Sequence, residues 1–264
     1  MKKFAVIGES LSHSFSPILH KIIYQKLNLH ADYGMVEIAP KELHSFIINN
    51  QFNGLNITIP YKEKVISALD QIDKPSKIIG AVNCLHGLEG FNTDWRGFLK
   101  SMQVNNVKME GKNCLIIGAG GAAKAIAFAL IKSNVNSIKF KNRTESRLKA
   151  ITSWVNSLFI NNKDHVTSDI IINCTPQGMF PIQDEIPMRT DNIYKNQILI
   201  DTIYNPLITN WLKKGAEKGA RIISGMDMLI AQAIFSINIW FGIDAFKKID
   251  IVELKKELSI YYAS

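Results

Sequence analysis

A glycine-rich turn, Gly-Ala-Gly-Gly-Ala-Ala from Gly118 onward, directly follows an apolar run that predicts a β-strand. Gly118 and Gly120 permit a tight turn and a close backbone approach to a pyrophosphate. The anion would lie on the free N–H groups and the positive dipole end of the following helix, beside the small residues Ala119, Gly121 and Ala122. A turn that binds no ligand is the alternative, but the flanking strand and helix favour a dinucleotide site.

The end of the next predicted strand is basic, where many dinucleotide-binding folds have an acidic residue. A carboxylate there would bind the ribose hydroxyls of NAD. Arg143, with Arg147 one helical turn further on, would instead form a forked donor for a 2′-phosphate. Asn142 and Thr144 add uncharged hydrogen-bonding groups. The sequence therefore predicts NADP(H) as the cofactor.

Polar side chains also occur at the end of an earlier predicted strand. Asn56 and Thr58 are two residues apart, so both project from one face of that strand while Ile57 and Ile59 face the other way. Lys62 then opens a predicted helix, where the helix dipole disfavours a cation. An ammonium in this place indicates a function, with a solvated lysine as the alternative.

Other polar residues stand where folding alone does not require them. Ser14 and Ser16 follow the first strand beside a helix N-terminus, which suits a substrate carboxylate, although turn formation and capping also explain them. Asn83 ends another predicted strand, and Asp94 begins a helix that it would cap by default. Gln232 lies inside an otherwise apolar helix and needs a buried partner or a ligand to offset its desolvation.

Strands and helices alternate along the chain, which predicts an α/β fold with two domains. We expect a first α/β domain in residues 1–97, a Rossmann-type domain in residues 98–225, and helices within 226–264 that pack back on the first domain. The predicted strands are residues 4–7, 34–38, 55–59, 81–85, 114–117, 137–140, 170–173 and 198–201. The predicted helices are residues 17–27, 40–48, 62–69, 94–102, 122–132, 145–156, 207–218, 228–241 and 251–262.

Composition and charge narrow the class of protein. The 264 residues are 47% hydrophobic and 20% charged, which is typical of soluble globular proteins. The net charge of +8 comes from scattered lysines and not from a continuous basic stripe, so we expect small anionic ligands and no nucleic acid. Cys84, Cys114 and Cys174 are far apart in apolar segments, which predicts reduced thiols and no metal site. No apolar stretch is long enough for a membrane span, so we expect a cytoplasmic protein.

In order along the chain, these motifs resemble the shikimate dehydrogenase family from end to end. So many ordered motifs make the resemblance specific. It rests on His13-Ser14-Phe15-Ser16-Pro17, Asn56-Ile57-Thr58-Ile59-Pro60-Tyr61-Lys62, Gly80-Ala81-Val82-Asn83, Asn92-Thr93-Asp94, Gly118-Ala119-Gly120-Gly121-Ala122-Ala123, Asn142-Arg143-Thr144, Asn173-Cys174-Thr175-Pro176, Asp201-Thr202-Ile203-Tyr204-Asn205-Pro206 and Gly225-Met226-Asp227-Met228-Leu229-Ile230-Ala231-Gln232.

The resemblance implies reversible NADPH-dependent reduction of 3-dehydroshikimate to shikimate, a step toward chorismate and the aromatic amino acids. It implies a substrate-binding and catalytic domain in residues 1–97 with 226–264, an NADP-binding domain in 98–225, and Lys62 and Asp94 as the catalytic pair. The implied substrate ligands are Ser14, Ser16, Asn56, Thr58, Lys62, Asn83, Asp94, Tyr204 and Gln232. The implied cofactor contacts are Gly118, Ala119, Gly120, Gly121, Ala122, Asn142, Arg143, Thr144, Arg147, Thr202, Gly225 and Met228.

A few positions depart from the family pattern. Ser10 replaces a frequent proline, Tyr61 a frequent histidine and Thr202 a common methionine, which affects the expected shape of the pocket. Two serines in place of Ser-x-Thr favour shikimate over quinate, and a quinate/shikimate dehydrogenase of broader specificity is the alternative enzyme. A non-catalytic NADP(H)-sensing protein is the other alternative, although a sensor would need neither member of the catalytic pair. We expect a monomer or a homodimer.

Overall fold

The structure is a computed structural model that describes residues 1–12, 14–160 and 162–262, so His13 of the first motif lies outside the described residues. The chain divides into two compact units. The first unit contains Met1–Lys100 and Ile230–Ser264, and the second contains Ser101–Leu229. Each unit is built on its own β-sheet.

The first unit contains a mixed six-stranded sheet. Its strands are β1 (Lys2–Gly8), β2 (Ala31–Glu37), β3 (Gly54–Ile57), β4 (Gln71–Ile72), β5 (Cys84–His86) and β6 (Glu89–Phe91), in the spatial order β2-β1-β3-β5-β6-β4. β1 is parallel to β2 and to β3, whereas β5 is antiparallel to β3. Because Asn56 pairs with Cys84, the chain enters β5 beside the end of β3. Asn56, the polar residue of β3, and Asn83, the residue before β5, therefore become neighbours.

The second unit contains a five-stranded sheet in which every pair is parallel. Its strands are β7 (Asn113–Ile117), β8 (Ser137–Lys141), β9 (Ile170–Asn173), β10 (Ile198–Asp201) and β11 (Arg221–Ile223), in the order β11-β10-β9-β7-β8. The strand order reverses at β7, which lies between β8 and β9. Ligands of doubly wound sheets bind outside the carboxyl ends of the strands at such a reversal.

Helices accompany both sheets. In chain order they are α1 (Ser16–Lys26), α2 (Leu43–Asn49), α3 (Lys74–Ile79), α4 (Asp94–Val104), α5 (Gly121–Lys132), α6 (Glu145–Leu158), α7 (Asn210–Glu217), α8 (Met226–Phe241) and α9 (Ile251–Ser259). Within the first unit, the Trp240 ring of α8 stacks on Phe4 of β1 with centroids 4.5 Å apart, and its indole N–H donates to the Leu85 carbonyl at 2.8 Å. The last turns of α8 thus pack on the first sheet.

Side-chain burial explains why these segments form the cores. The β1 residues from Phe4 to Ile7 are all buried, so this strand is a continuous apolar run and not an alternating one. In the second unit Trp211 and Leu212 of α7 are fully buried against Leu199 of β10. The α/β fold class, with a Rossmann-type unit and C-terminal helices on the first unit, is confirmed.

Several local predictions are wrong in their details. The predicted helix at 62–69 is a turn followed by a 3₁₀-helix, Lys64–Ala68, and the predicted strand at 81–85 begins only at Cys84. Helix α1 starts at Ser16, so Pro17 is its second residue and Ser16 is not its cap. The short elements β4, β6, β11 and α3 were not predicted from the sequence. Within the described ranges, no helix is both long and apolar enough to cross a bilayer.

Candidate active site

A short ion pair joins two distant parts of the first unit. Lys62 lies in the turn after β3, and Asp94 is the first residue of α4. Lys62 Nζ lies 2.6 Å from Asp94 Oδ2, and the two side chains are only 17% and 6% exposed. Charge-assisted hydrogen bonds of this length are about twice as strong as neutral ones, and here the partial burial limits screening by water. An ammonium group held in this way has further protons to donate to a ligand oxygen.

Asp94 is not the cap that its position at the start of α4 predicts. The Asn92 side chain accepts the backbone N–H groups of Asp94 and Trp95, at 3.0 and 3.4 Å, and so takes the capping role. Both carboxylate oxygens of Asp94 are used elsewhere, one by Lys62 and one by Asn83. The carboxylate is therefore assigned to the site and not to the helix end.

The Asn83 carboxamide is the centre of the polar group. Its Nδ2 donates to Asp94 Oδ1 at 2.8 Å and to Thr93 Oγ1 at 3.0 Å, and lies 3.5 Å from Gln232 Oε1. Its Oδ1 accepts the Thr93 backbone N–H at 2.6 Å. Asn83 is 2% exposed, so these bonds replace the water that an amide requires. The structure thus brings Lys62, Asn83, Asp94 and Gln232 together.

Asn56 differs from the other predicted substrate ligands. Its Oδ1 accepts the Tyr33 hydroxyl at 2.7 Å, while its Nδ2 donates to the Asn83 carbonyl at 3.1 Å and to Ser236 Oγ at 2.9 Å. Both protons of the amide are therefore used within the protein, and the residue is buried, as is true of Asn83. The two residues differ in their partners, because the Asn83 side chain bonds to Asp94, whereas the Asn56 side chain bonds to Tyr33, Ser236 and the backbone of Asn83. This geometry indicates a structural link where the sequence predicted contact with a ligand.

The remaining first-unit candidates are partly exposed. Thr58 directly follows β3 and is half-buried. Ser14 precedes α1, and its Oγ accepts the Ser16 backbone N–H at 3.3 Å. Ser16 is the first residue of α1, at the positive end of the helix dipole. An anion bound by these two serines would also interact with the N-terminus of an eleven-residue helix.

The glycine-rich turn of the second unit connects β7 to α5, and its two main glycines have different requirements. Gly118 has φ +116°, and a Cβ there would lie 3.0 Å from the Cys174 carbonyl oxygen, so the fold itself needs glycine. At Gly120, the residue before α5, a Cβ would meet no protein atom within 4 Å. The protein does not need glycine at this position for packing. A phosphate that approaches the backbone there does need it, so the turn fits a dinucleotide pyrophosphate.

The basic residues lie beside this turn. Asn142 and Arg143 directly follow β8, and the Asn142 side chain donates to the Thr144 carbonyl at 2.9 Å, which shapes the loop before α6. Arg143 and Arg147 are both exposed. A 2′-phosphate beside β8 would therefore meet guanidinium groups that are already accessible to solvent.

A buried carboxylate organises the loop after β10. Asp201 accepts hydrogen bonds from Asn173 Nδ2 at 3.1 Å, the Ile203 N–H at 3.0 Å and Thr209 Oγ1 at 2.9 Å. Burial raises the pKa of Asp201 to about 6, against the effect of these three donors. The Thr202 hydroxyl donates to the Asn173 carbonyl at 2.9 Å. The loop that carries Thr202 and Tyr204 is thus fastened to the end of β9.

The other predicted cofactor residues of the second unit follow. Ala119, Gly121 and Ala122 are half-buried around the turn, and Met228 is half-buried near the start of α8. A Cβ on Gly225 would collide with the Thr202 carbonyl, so packing alone explains that glycine. Among the described residues, no group of three or more His, Cys, Asp or Glu side chains could hold a metal ion.

Comparisons with known proteins match both units. A model described as the shikimate dehydrogenase substrate binding domain matches residues 6–85, and one described as shikimate / quinate 5-dehydrogenase matches residues 100–206. A curated shikimate dehydrogenase (NADP(+)) of Methanosphaera stadtmanae is 40% identical over 257 residues, which covers 90% of each chain. The chain belongs to the shikimate dehydrogenase family.

Solved structures agree with this family. Shikimate 5-dehydrogenase from Thermus thermophilus, in complex with NADP(H) and shikimate, is 27% identical with a TM-score of 0.86, covering 97% of this chain and 98% of that one. The ligand-free 5-ketofructose reductase of a Gluconobacter species is 26% identical with a TM-score of 0.83, covering 98% of each chain. The shikimate dehydrogenase fold therefore also occurs in a reductase named for another ketone, and the side chains of the site must decide the substrate.

Two departures from the shikimate dehydrogenase pattern have structural explanations. Tyr61 is fully buried, and its hydroxyl donates to the Ile38 carbonyl, so it belongs to the core. The Thr202 hydroxyl donates to the Asn173 carbonyl at the end of β9. Neither residue adds a charge to the site.

Three residues support the site in roles that were not predicted from the sequence. Asn92 caps α4, and Tyr33 and Ser236 hold Asn56. One signal was available for Ser236, because it lies four residues after Gln232 and so on the same face of a largely apolar helix. No local pattern distinguishes Tyr33 from any other buried strand residue.

Proposed function

We propose that this chain is a shikimate dehydrogenase that catalyses the reversible, NADPH-dependent reduction of 3-dehydroshikimate to shikimate. The observation that carries the proposal is the shielded Lys62–Asp94 pair with the Asn83 carboxamide attached to it. A binding protein without turnover would have no reason to keep an ammonium and a carboxylate at hydrogen-bond distance in a site that water barely reaches.

Lys62 serves as the proton donor to the ketone oxygen. When NADPH is bound, its nicotinamide supplies the hydride to the carbonyl carbon. Negative charge then develops on the carbonyl oxygen, and a proton from Lys62 Nζ neutralises it. In the oxidation direction the same nitrogen takes the proton from the hydroxyl. Asp94 keeps Nζ in place through Oδ2, and its carboxylate also accepts a hydrogen bond from a neighbouring ring hydroxyl.

The other substrate contacts follow from chemistry and position. Ser14 and Ser16 bind the carboxylate at the N-terminus of α1, where hydroxyl donors and the helix dipole both favour an anion. Thr58 and Gln232 bind ring hydroxyls, since a hydroxyl and a carboxamide can each donate to and accept from an alcohol. Asn83 is the third proposed ligand of the ring hydroxyls, and it binds by exchanging its hydrogen bond to Thr93 Oγ1 for one to the substrate. Tyr204 completes the set of substrate contacts that the family pattern implies. Asn56 supports the site through its hydrogen bond to the Asn83 carbonyl.

NADP(H) is the cofactor that the second unit fits. The backbone around Gly118, Gly120 and the first turn of α5 would hold the pyrophosphate. Arg143, with Arg147, would hold the 2′-phosphate, flanked by Asn142 and Thr144. Thr202, Gly225 and Met228 would line the nicotinamide end. We also propose a cytoplasmic location and a monomeric or homodimeric state for the enzyme.

One assay tests the proposal. The purified protein is given shikimate or quinate with NADP⁺ or NAD⁺, and formation of reduced nicotinamide is followed by its absorbance. We expect the highest kcat/KM with shikimate and NADP⁺. Comparable values for shikimate and quinate would favour the broader quinate/shikimate enzyme, and NADP⁺ binding without turnover of either acid would favour the sensor.

The variant Lys62→Gln tests the assigned role of the lysine. We expect kcat to fall about 10²- to 10⁴-fold with a much smaller change in the KM for shikimate, because a positioned proton donor acts in the transition state. Lys64→Gln is the matched control, since Lys64 is an exposed lysine two residues further on. A Lys62→Gln variant that kept near-normal turnover would contradict the mechanism.

A further inference from the structure

A chain of hydrogen bonds leads from Asn56 through Asn83 to the ion pair. The Asn83 carbonyl accepts both the Asn56 side chain at 3.1 Å and the Ile57 backbone N–H at 2.9 Å. The Asn83 side chain in turn bonds to Asp94, and Asp94 bonds to Lys62. The position of the Lys62 ammonium therefore depends on how firmly the backbone of Asn83 is held beside the end of β3.

Tyr33 and Ser236 fix the Asn56 carboxamide from two sides. The Tyr33 hydroxyl, on β2, donates to Oδ1 at 2.7 Å. Ser236 Oγ donates to the Gln232 carbonyl one helical turn earlier at 3.0 Å, so it acts as an acceptor toward Asn56 Nδ2 at 2.9 Å. With a donor on one side and an acceptor on the other, only one orientation of the amide satisfies all three partners.

Ser236 also links Asn56 to α8. The bond between Ser236 and Asn56 fastens α8 to β3 one helical turn after Gln232, whose side chain lies 3.5 Å from Asn83 Nδ2. Ser236 Oγ lies 3.4 Å from Thr93 Oγ1, next to the start of α4. Ser236 is fully buried, so water does not compete for these bonds. The Ser236 hydroxyl thus contacts Asn56, which holds Asn83, the backbone of Gln232, and Thr93, which precedes Asp94. Asn83, Gln232 and Asp94 are all assigned to substrate binding or proton transfer.

We propose that Tyr33, Asn56 and Ser236 are positioning residues that hold Asn83 and, through it, the Lys62–Asp94 pair in the geometry for proton transfer. The inference rests on the proposed function for its kinetic readout but on the observed hydrogen bonds for its content. It assigns Asn56 to the support of the site, in place of direct contact with the ring hydroxyls. Displacements of about 1 Å in such supports can lower a rate about 10²-fold without removing any reacting group.

The test uses Tyr33→Phe and Ser236→Ala in the full chain, because each removes one bond to Asn56 and neither residue is assigned to the substrate. We expect kcat to fall about tenfold in each variant, while the KM values for shikimate and NADP⁺ stay within about twofold. The double variant should lose less than the product of the two single losses, since both act through the same amide.

Two matched controls separate positioning from general damage. Tyr24→Phe removes a phenol hydroxyl from a ring that packs on His20, as the Tyr33 ring does. The Tyr24 hydroxyl has no hydrogen-bond partner among the described residues. Ser133→Ala removes a serine that bonds the carbonyl four residues earlier, as Ser236 does, but has no link to Asn56. Both controls should keep wild-type kcat. Thermal unfolding of the four single variants and the double variant shows whether the losses in kcat merely follow losses in stability.

The outcomes distinguish the inference from the proposed function. A rise in the KM for shikimate at unchanged kcat would make Asn56 a substrate ligand, and unchanged kinetics in both variants would refute the positioning role. If the wild-type protein does not turn over shikimate, the proposed function fails. The inference is then tested by crystal structures of wild type and Ser236→Ala. An unchanged Lys62–Asp94 distance and an unmoved Asn83 would overturn it.

Discussion

Replacing His20 with phenylalanine should make the first unit more resistant to acid than the wild-type protein. His20 lies on α1, is fully buried, and stacks on the Tyr33 ring with centroids 3.8 Å apart. Burial lowers the pKa of His20 from 6.5 to about 3, because the surrounding rings solvate an imidazolium poorly. Phenylalanine keeps an aromatic ring at this place and has no group to protonate.

The size of the effect follows from proton binding in the two states. The unfolded chain takes up a proton at His20 below its ordinary pKa of 6.5, whereas the folded chain does so only near 3. The free energy of unfolding is therefore unaffected by protonation of His20 above pH 6.5, and it falls progressively as the pH is lowered from 6.5 towards 3. At about 1.4 kcal/mol per unit, the loss is about 2 kcal/mol at pH 5 and about 3 kcal/mol at pH 4.

Urea unfolding at pH 8, 5 and 4 measures this difference. The constant effect of the larger ring appears at pH 8, so the informative quantity is the change in the free-energy difference between variant and wild type as the pH is lowered. His44→Gln is the control, because His44 is exposed on α2 and its replacement should leave the profile parallel to wild type. Parallel profiles for His20→Phe and wild type would refute the reasoning.

Three further predictions concern the second unit. Arg143→Ala should raise the KM for NADP⁺ about tenfold and leave that for NAD⁺ nearly unchanged; equal effects on both cofactors would exclude recognition of the 2′-phosphate. Gly118→Ala should cost about 1–3 kcal/mol of folding stability because of its positive φ and the nearby Cys174 carbonyl. Gly120→Ala should keep the wild-type Tm but weaken NADP⁺ binding. Thermal unfolding and titration calorimetry of both variants test this contrast. The raised pKa of Asp201 means that its protonated form favours folding below pH 3.8 and that about 3 kcal/mol is lost as the pH rises through about 6. Asp201→Asn should abolish this decline, and a stability profile that fell as steeply as in wild type would contradict it.

Much of the second unit was predictable from local patterns. The strands β9 and β10 begin and end where their apolar runs predict, because strands of a parallel sheet are buried on both faces and cannot alternate. The glycine-rich turn and the basic end of β8 were predictable for a different reason. Their chemistry depends on residues that are adjacent in sequence.

The first unit was harder to predict because its site depends on contacts between distant residues. Alternation places Asn56 and Thr58 on one face but does not say that Tyr33 and Ser236 reach the Asn56 amide first. The antiparallel pairing of β5 with β3 likewise brings Asn83 beside Asn56, and no short-range pattern fixes that strand order. In both cases the environment of the Asn56 side chain is set by residues that are distant in sequence.

The Asn92 cap has a practical consequence for mutagenesis. Removal of a capping side chain normally costs a helix about 1 kcal/mol of stability. If a site residue also capped its helix, its replacement would lower activity both by removing a reacting group and by unfolding the helix end. In this protein the two duties fall to neighbouring but separate side chains. Exchanging the carboxylate therefore yields a protein whose α4 still begins at the same residue, and a lost reaction in that protein can be attributed to the missing charge.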